Sequence, residues 1–199
     1  MIKNIVFDIG NVCVDFCYKG FFESLGFSPE IVQRICRASV ENEVWNLGDE
    51  GNHSEEELLD IFIQQDPEIE PQLRRAYENF SGIIREREAT IPWLEELKSR
   101  GYHVYYLSNY PEKIARECAD DMKFLSHMDG GILSYKVKLV KPGREIYRKL
   151  LSEYDLKAEE CLFIDDRADN CEAAVREGFL AIQYTTRDEV LKKMAELGV

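Results

Sequence analysis

Short apolar runs alternate with amphipathic stretches along much of the chain. The apolar runs predict five strands, at Ile2–Phe7, Val104–Leu107, Ile132–Leu133, Leu162–Ile164 and Leu180–Tyr184. Apolar residues at helical spacing predict helices over Pro92–Ser99, Arg144–Tyr154 and Asp169–Glu177. Repeated strand–helix–strand units favour an α/β fold, a Rossmann-like parallel sheet with helices on both faces. Right-handed crossovers then place the carboxyl ends of all strands at one edge of the sheet.

The stretch from about Phe16 to Glu88 has a different pattern, rich in helix formers and without strand signals. Ser28 precedes a proline and is typical of an N-cap with proline at the first helical position. Ser54 and Glu57 have the spacing of a capping box before an apolar run. The pattern therefore predicts an α-helical cap domain at residues 16–88, inserted into an α/β core domain made of residues 1–15 and 89–199.

Composition narrows the classes of partner. A net charge of −13 disfavours nucleic acid and anionic membranes, because both attract surfaces rich in Lys and Arg. It leaves room for a small anionic substrate, since a site can be locally positive. No signal peptide is visible and the first apolar run is far too short to span a bilayer, so we expect a cytoplasmic protein. The cysteines show no compact disulfide framework, and the scattered histidines do not indicate a zinc site.

Asp8 ends the first predicted strand and leads into a turn that contains Gly10. Open α/β sheets build their active sites at this position, and a carboxylate can act as a covalent nucleophile. Many strands also end in Asp only because Asp suits the following turn. Asp8 alone therefore leaves a catalytic and a structural interpretation open.

Further polar residues stand at or after the ends of other predicted strands. Ser108 and Asn109 follow Leu107 and are suited to hold an oxyanion, although they also suit a simple turn. Lys141 beside Pro142 can offer a fixed positive charge to phosphate, or can be an ordinary solvated lysine.

Asp165 and Asp166 follow the fourth predicted strand directly. Adjacent carboxylates repel each other unless a cation or a proton intervenes, and hard divalent cations suit such a pair. Alternatively, Asp166 caps the next helix. If Asp8 meets the pair at the same sheet edge, a metal becomes the better explanation.

In chain order, Asp8, Ser108, Lys141 and the Asp165-Asp166 pair resemble the motifs of the haloacid dehalogenase-like superfamily of hydrolases. The resemblance covers essentially the whole chain, including a helical cap after the first motif. The segment from Phe7 to Val12, with Asp15 further on, is most similar to the bacterial subgroup that includes α-D-glucose-1-phosphate phosphatase.

The resemblance implies a phosphatase acting on a small phosphorylated metabolite. Asp8 would form a phospho-aspartyl intermediate. Ser108, Asn109 and Lys141 would bind the phosphoryl oxygens. The resemblance also implies a metal site for Mg²⁺, with Mn²⁺ as an alternative. The ligands would be a carboxylate oxygen of Asp8, the backbone carbonyl of Gly10 and Asp166, with Asp165 in support. Asn170 is expected to steady Asp166. The cap would exclude water and select the leaving group. The resemblance implies no oligomeric state.

Gly10 departs from the pattern, because most phosphatases of this superfamily carry a second Asp there as general acid and base. Three interpretations stay open. A phosphatase can act on a good leaving group such as that of a sugar 1-phosphate, or use Asp15 or a cap residue as the acid. A 2-haloacid dehalogenase also lacks the second Asp, but needs no metal and is not expected to carry the acidic pair. A catalytically degenerate protein would bind a phosphorylated ligand or a protein.

Overall fold

The computed structural model describes all 199 residues. Its strands are β1 Asn4–Phe7, β2 Val14–Phe16, β3 Ile84–Glu86, β4 His103–Ser108, β5 Gly130–Leu133, β6 Cys161–Asp165 and β7 Leu180–Gln183. Its α-helices are α1 Tyr18–Ser24, α2 Pro29–Ala38, α3 Asn46–Glu50, α4 Glu55–Gln65, α5 Glu70–Tyr77, α6 Thr90–Ser99, α7 Glu112–Glu117, α8 Ser134–Val137, α9 Arg144–Glu153, α10 Ala168–Arg176 and α11 Arg187–Glu196. Short 3₁₀ segments occupy Glu43–Trp45, Pro67–Ile69, Ala119–His127 and Ala158–Glu160. None of the helices combines the length and apolar character needed to cross a membrane.

Five strands form one parallel sheet in the order β5-β4-β1-β6-β7. The first strand lies at its centre, with Phe7 in register with Tyr106 on one side and Ile164 on the other. From β1 the chain adds β4 and β5 on one side of the sheet and then β6 and β7 on the other. The crevice beyond the carboxyl end of β1 is therefore the position where open α/β sheets bind ligands. The sheet thereby places Asp8, the residue after β1, at the middle of this edge.

Successive residues of the first strand point to opposite faces of the sheet and belong to different apolar clusters. Both faces of the sheet are therefore covered by helices. Ile5 and Phe7 belong to a large cluster that also contains the cap side chains, whereas Val6 belongs to a smaller one. Trp93 of α6 packs edge-on against Phe7 on the first face, with ring centroids 4.8 Å apart. Tyr147 of α9 contributes to the opposite cluster. The predicted Rossmann-like α/β architecture is therefore confirmed.

A helical insertion separates β1 from β4. Helices α1 to α5 lie between β2 and β3, which pair antiparallel and form the two stems of the insertion. The prediction that residues 16–88 lack strands is wrong, because Phe16 ends β2 and all of β3 lies in that stretch. These strands have three residues each, too few for an alternating pattern to stand out in the sequence. The exact core and cap boundaries stay a prediction.

The two predicted helix caps in the insertion are present in the structure. The Ser28 hydroxyl accepts a hydrogen bond from the Ile31 backbone at the start of α2. Ser54 and Glu57 form a reciprocal capping box at the start of α4. In contrast, α6 begins two residues before the predicted Pro92, because an N-terminal turn accommodates a proline without losing an intrahelical hydrogen bond.

Candidate active site

Asp8 lies at the bottom of a crevice at the carboxyl edge of the sheet. Its backbone N–H donates to the Ile164 carbonyl at 2.8 Å, which ties it to β6, and only 7% of the residue is exposed. Burial is the main cause that raises the pKa of its carboxyl to about 6, with Lys141 opposing and Asp165 reinforcing the rise. The Ser108 hydroxyl at the end of β4 is near enough to lower that pKa slightly. Asp8 is thus a desolvated carboxylate facing the crevice.

Lys141 links two of the acidic residues. Its Nζ donates to Asp8 Oδ1 at 2.8 Å and to Asp165 Oδ2 at 2.6 Å. Burial acts to lower the pKa of this lysine, but the two carboxylates outweigh burial and raise it above its ordinary value. The side-chain amide of Asn109 holds the Lys141 backbone at both its N–H and its carbonyl, at 2.8 and 2.9 Å. The solvated-lysine interpretation is therefore wrong, since Lys141 is 3% exposed.

Asp165 and Asp166 have different surroundings although they are adjacent. Asp165 is fully buried and accepts hydrogen bonds from Lys141, the Arg167 backbone and the Asn170 amide. Asp166 is partly exposed to the crevice and accepts a hydrogen bond from Asn11 at 3.2 Å. The expectation that Asn170 steadies Asp166 is wrong, because its amide nitrogen lies 3.1 Å from both carboxylate oxygens of Asp165. Asp166 is not the cap of α10 either, because the N-cap residue is Arg167.

Three carboxylates converge on the crevice and form a suitable site for a divalent cation. Asp8, Asp165 and Asp166 each present an oxygen within 4.8 Å of the others. Burial raises the pKa of Asp166, and its neighbour Asp165 adds to the rise. One lysine is the only cation in direct contact with the group, so negative charge is left over. A hard cation with oxygen ligands would offset that excess.

The turn after Asp8 is shaped by Gly10 and Asn11. Asn11 has a φ of 54°, in the left-handed region that Asn tolerates better than most residues. This conformation directs its amide to Asp166, a contact that sequence reasoning did not assign. A Cβ atom built on Gly10 meets no atom within 4 Å, so the space above this residue is open.

A cavity of about 490 Å³ extends from Asp8 towards the cap. This volume lies in the range usual for small-molecule sites. The predicted site residues Asp8, Gly10, Ser108, Asn109, Lys141 and Asp166 all line it, whereas Asp165 does not line it and contacts Lys141. The cap side of the wall includes Phe16, Trp45, Asn46, Asp49 and Glu50.

Of the two replacements considered for the missing acid, Asp15 is poorly placed. Its carboxylate forms an ion pair with Arg87 at 2.7 Å, and it does not line the cavity. Asp49 of α3 was not singled out by the sequence, where it stands among several acidic residues. It lines the cavity although only 7% of it is exposed.

The chain belongs to the haloacid dehalogenase-like hydrolases, whose family model matches residues 2–178. The resemblance read from the four motifs is thereby confirmed at the level of the family, and with it the expectation of a hydrolase. The similarity to one bacterial subgroup stays a prediction.

Two relatives with assigned activities are similar to most of the chain. The sesquiterpene phosphatase astK of Aspergillus oryzae is 23% identical over 183 residues, which cover 92% of this chain and 90% of that protein. The D-ribitol-5-phosphate phosphatase of Bacteroides thetaiotaomicron is 26% identical over 197 residues, with 92% of each chain covered. Both are named as phosphatases.

Solved structures that share this fold include both a magnesium and phosphate complex and a haloacid dehalogenase. A family enzyme from Bacteroides thetaiotaomicron, crystallised with magnesium and inorganic phosphate, has a TM-score of 0.68 at 20% identity, with 94% of this chain and 96% of that chain covered. The L-2-haloacid dehalogenase of Xanthobacter autotrophicus has a TM-score of 0.64 at 14% identity, with 98% and 83% covered. At these identities the likeness establishes the fold and does not choose between phosphate and halide chemistry.

Proposed function

We propose that this protein is a Mg²⁺-dependent phosphatase that hydrolyses a small phosphomonoester through a phospho-aspartyl intermediate. The observation that carries the proposal is the contact between Asp8 and Lys141 at 2.8 Å, on the floor of a cavity flanked by two further carboxylates. A nucleophile beside a fixed cation is the arrangement that phosphoryl transfer requires. Two relatives named as phosphatases, one of D-ribitol 5-phosphate, support it.

The residues of the site divide the work. The Asp8 carboxylate oxygen attacks phosphorus in line with the departing oxygen. Lys141 and the Ser108 hydroxyl bind the phosphoryl oxygens, on which negative charge is spread during transfer. The Asn109 amide holds the Lys141 backbone and so fixes the lysine relative to Asp8. Because these groups are buried and already oriented, little reorganisation is needed when charge develops.

The donor set fits Mg²⁺. Asp8, the Gly10 carbonyl and Asp166 would hold the ion, and Asp165 would support them by orienting Lys141. Bound Mg²⁺ would supply neutralisation of the phosphoryl charge. Hard oxygen ligands of this kind are typical for Mg²⁺ and also serve Mn²⁺.

The experiment is a phosphate-release screen across sugar phosphates, nucleotides and flavin phosphate, with added Mg²⁺, with Mn²⁺ and with EDTA. We expect release from at least one small phosphomonoester, lost with EDTA and restored by Mg²⁺. No release from any substrate under any metal condition would contradict the proposal and favour a phospho-ligand or protein-binding member of the fold.

A 2-haloacid dehalogenase is the second candidate, because Gly10 provides no second acid and dehalogenases share the fold. The acidic pair counts against it, since a metal-free displacement of halide from carbon has no need of three converging carboxylates. Halide release from 2-chloropropionate without metal would establish this alternative.

A further inference from the structure

The phosphatase mechanism proposed above lacks a proton donor for the leaving group, because Gly10 stands where an acid is expected. General acid catalysis is typically worth about 10²- to 10⁴-fold in rate, so a substitute elsewhere in the cavity would matter. Asp15 is paired with Arg87 and lies outside the cavity. The remaining carboxyls near the cavity belong to Asp166, whose oxygen is placed for a cation, and to α3.

Asp49 of α3 combines burial with an unpaired carboxyl. It is 7% exposed and lines the same cavity as Asp8, but from the cap side. Its carboxylate oxygens take part in no hydrogen bond or salt bridge with the protein, and only burial and nearby charges affect it. Neither oxygen is fully enclosed, so the carboxyl opens into the cavity, where no protein group competes with a bound substrate for it.

The core holds Asp49 in place through its backbone. The Ser134 hydroxyl at the start of α8 donates to the Asp49 carbonyl at 2.6 Å, and the same hydroxyl accepts from the Tyr110 N–H at 2.8 Å. Two residues further on, Gly51 has a φ of 65° and packs so closely that an added Cβ would lie 2.6 Å from the Tyr135 carbonyl oxygen. These contacts fix the end of α3 against the core, so the Asp49 side chain keeps its place above the crevice.

We infer that Asp49 is the general acid that protonates the leaving-group oxygen, in place of the acid absent at Gly10. The inference rests on the proposed phosphatase function. Asp8 forms a bond to phosphorus as the bond from phosphorus to the leaving oxygen breaks, and that oxygen takes the proton of the Asp49 carboxyl. Water then attacks the phospho-aspartate, giving phosphate and the free Asp8 carboxylate, and the proton lost by this water returns to Asp49. The sum is the phosphomonoester and water giving the alcohol and phosphate.

The electrostatics of Asp49 agree with this role. Burial is the main cause that raises the pKa of its carboxyl to about 7, and Asp8 and Glu50 add to the rise against Lys141 and Arg167. The acid form is therefore populated near neutral pH, where a general acid is most effective.

The test measures kcat/KM for a series of substituted aryl phosphates, because this parameter reports on the steps up to release of the alcohol. Aryl phosphates carry no sugar hydroxyl, so a lost hydrogen bond to substrate cannot imitate a lost proton. Asp49→Asn should reduce kcat/KM by about 10²-fold or more for phenyl phosphate, whose leaving group is basic. For p-nitrophenyl phosphate, whose leaving group departs easily, the loss should stay within about threefold.

Two variants serve as controls. Asp15→Asn removes the acid that the sequence suggested and should lower kcat/KM by the same small factor for both substrates. Gly10→Asp in the Asp49→Asn background returns a carboxyl to the open space above residue 10 and should restore phenyl phosphate turnover.

Equal losses for both substrates in Asp49→Asn, or a double variant as slow with phenyl phosphate as Asp49→Asn, would overturn the inference. Neither result would affect the phosphatase proposal, which fails only if the wild-type protein hydrolyses no substrate or if Asp8→Asn retains turnover.

Discussion

The two walls of the cavity hold their carboxylates in opposite ways. On the core side, Asp8 and Asp165 share the Lys141 ammonium, and Asp165 also accepts from the Arg167 backbone and from Asn170. On the cap side, Asp49 is as buried as Asp8, but its carboxylate has no hydrogen-bond partner. The Lys141 ammonium opposes the rise that burial causes in the pKa of Asp8, and the hydrogen bonds hold both carboxylates in fixed orientations, which suits a nucleophile and a cation site. An unpaired buried carboxyl keeps its proton more readily, which suits an acid.

The difference suggests a division of labour within one cavity. The core wall would carry the steps that every phosphomonoester needs, namely attack on phosphorus and stabilisation of its oxygens. The cap wall would carry the step that depends on the leaving group. Substitutions in the two walls should therefore be distinguishable by whether their effect depends on the alcohol that departs.

Asp8→Asn should have the largest effect. Removal of the proposed nucleophile is expected to reduce turnover by at least about 10⁴-fold for every substrate, because no neighbouring group takes its place. Phosphate release and acid-stable labelling with ³²P would both be measured. Circular dichroism would verify that the variant is folded, and activity within tenfold of wild type would rule Asp8 out as the nucleophile.

Lys141→Met should come next. We expect a loss of about 10²- to 10³-fold for aryl and alkyl phosphates alike, since the fixed positive charge acts on the phosphoryl oxygens and not on the alcohol. The free energy of unfolding should also fall by about 3 kcal/mol or more, because Asp8 and Asp165 would remain buried without their cation. Urea denaturation measures this loss, and an unchanged unfolding midpoint would contradict the expectation that Lys141 offsets the two buried charges.

Asp49→Asn should become more stable than the wild-type protein as the pH rises, independently of its effect on activity. The carboxyl pKa is about 7 in the folded protein against an ordinary value of 3.8, so the folded state keeps a proton that the unfolded chain releases between these values. Wild-type stability therefore falls with rising pH through this window, and a neutral Asn avoids the loss.

The stability advantage of Asp49→Asn should widen by about 2–3 kcal/mol between about pH 5 and about pH 8. Urea unfolding of both proteins at the two pH values measures it, with Asp15→Asn as the matched control. An advantage that does not change with pH would show that Asp49 is ionised throughout and would remove the contrast between the two walls.

Asp15→Asn should have the smallest effect. The ion pair of Asp15 with Arg87 is partly exposed and lies outside the cavity, so its loss should cost less than about 1 kcal/mol of stability. Steady-state kinetics should show kcat/KM within about threefold of wild type for all substrates. A loss confined to basic leaving groups would instead make Asp15 the acid and would move that function from the cap to the core.

Much of the core could be predicted from the sequence. Strands β1, β4 and β6 are buried on both faces, so their apolar runs stand out, and the polar residues that end them have to meet at one sheet edge. Asp8, Ser108 and Asp165 follow from that rule alone. Lys141 does not end a strand but follows α8 and a short loop. Its position beside Pro142 left a phosphate-binding and a solvated interpretation open, and the resemblance favoured the first.

The sequence by itself determined the α/β class and the family, and it predicted a helical insertion after the first strand, because periodicity and residue order are local properties of the chain. Tertiary structure decided which acidic residues are paired and which are left alone. Asp15, Asp49 and Asp166 carry the same side chain, yet the Asp15 carboxylate contacts Arg87, the Asp49 carboxylate has no partner, and the Asp166 carboxylate lies close to those of Asp8 and Asp165. Burial and the distance to a cation set the behaviour of a carboxyl, and both depend on segments far apart in the chain.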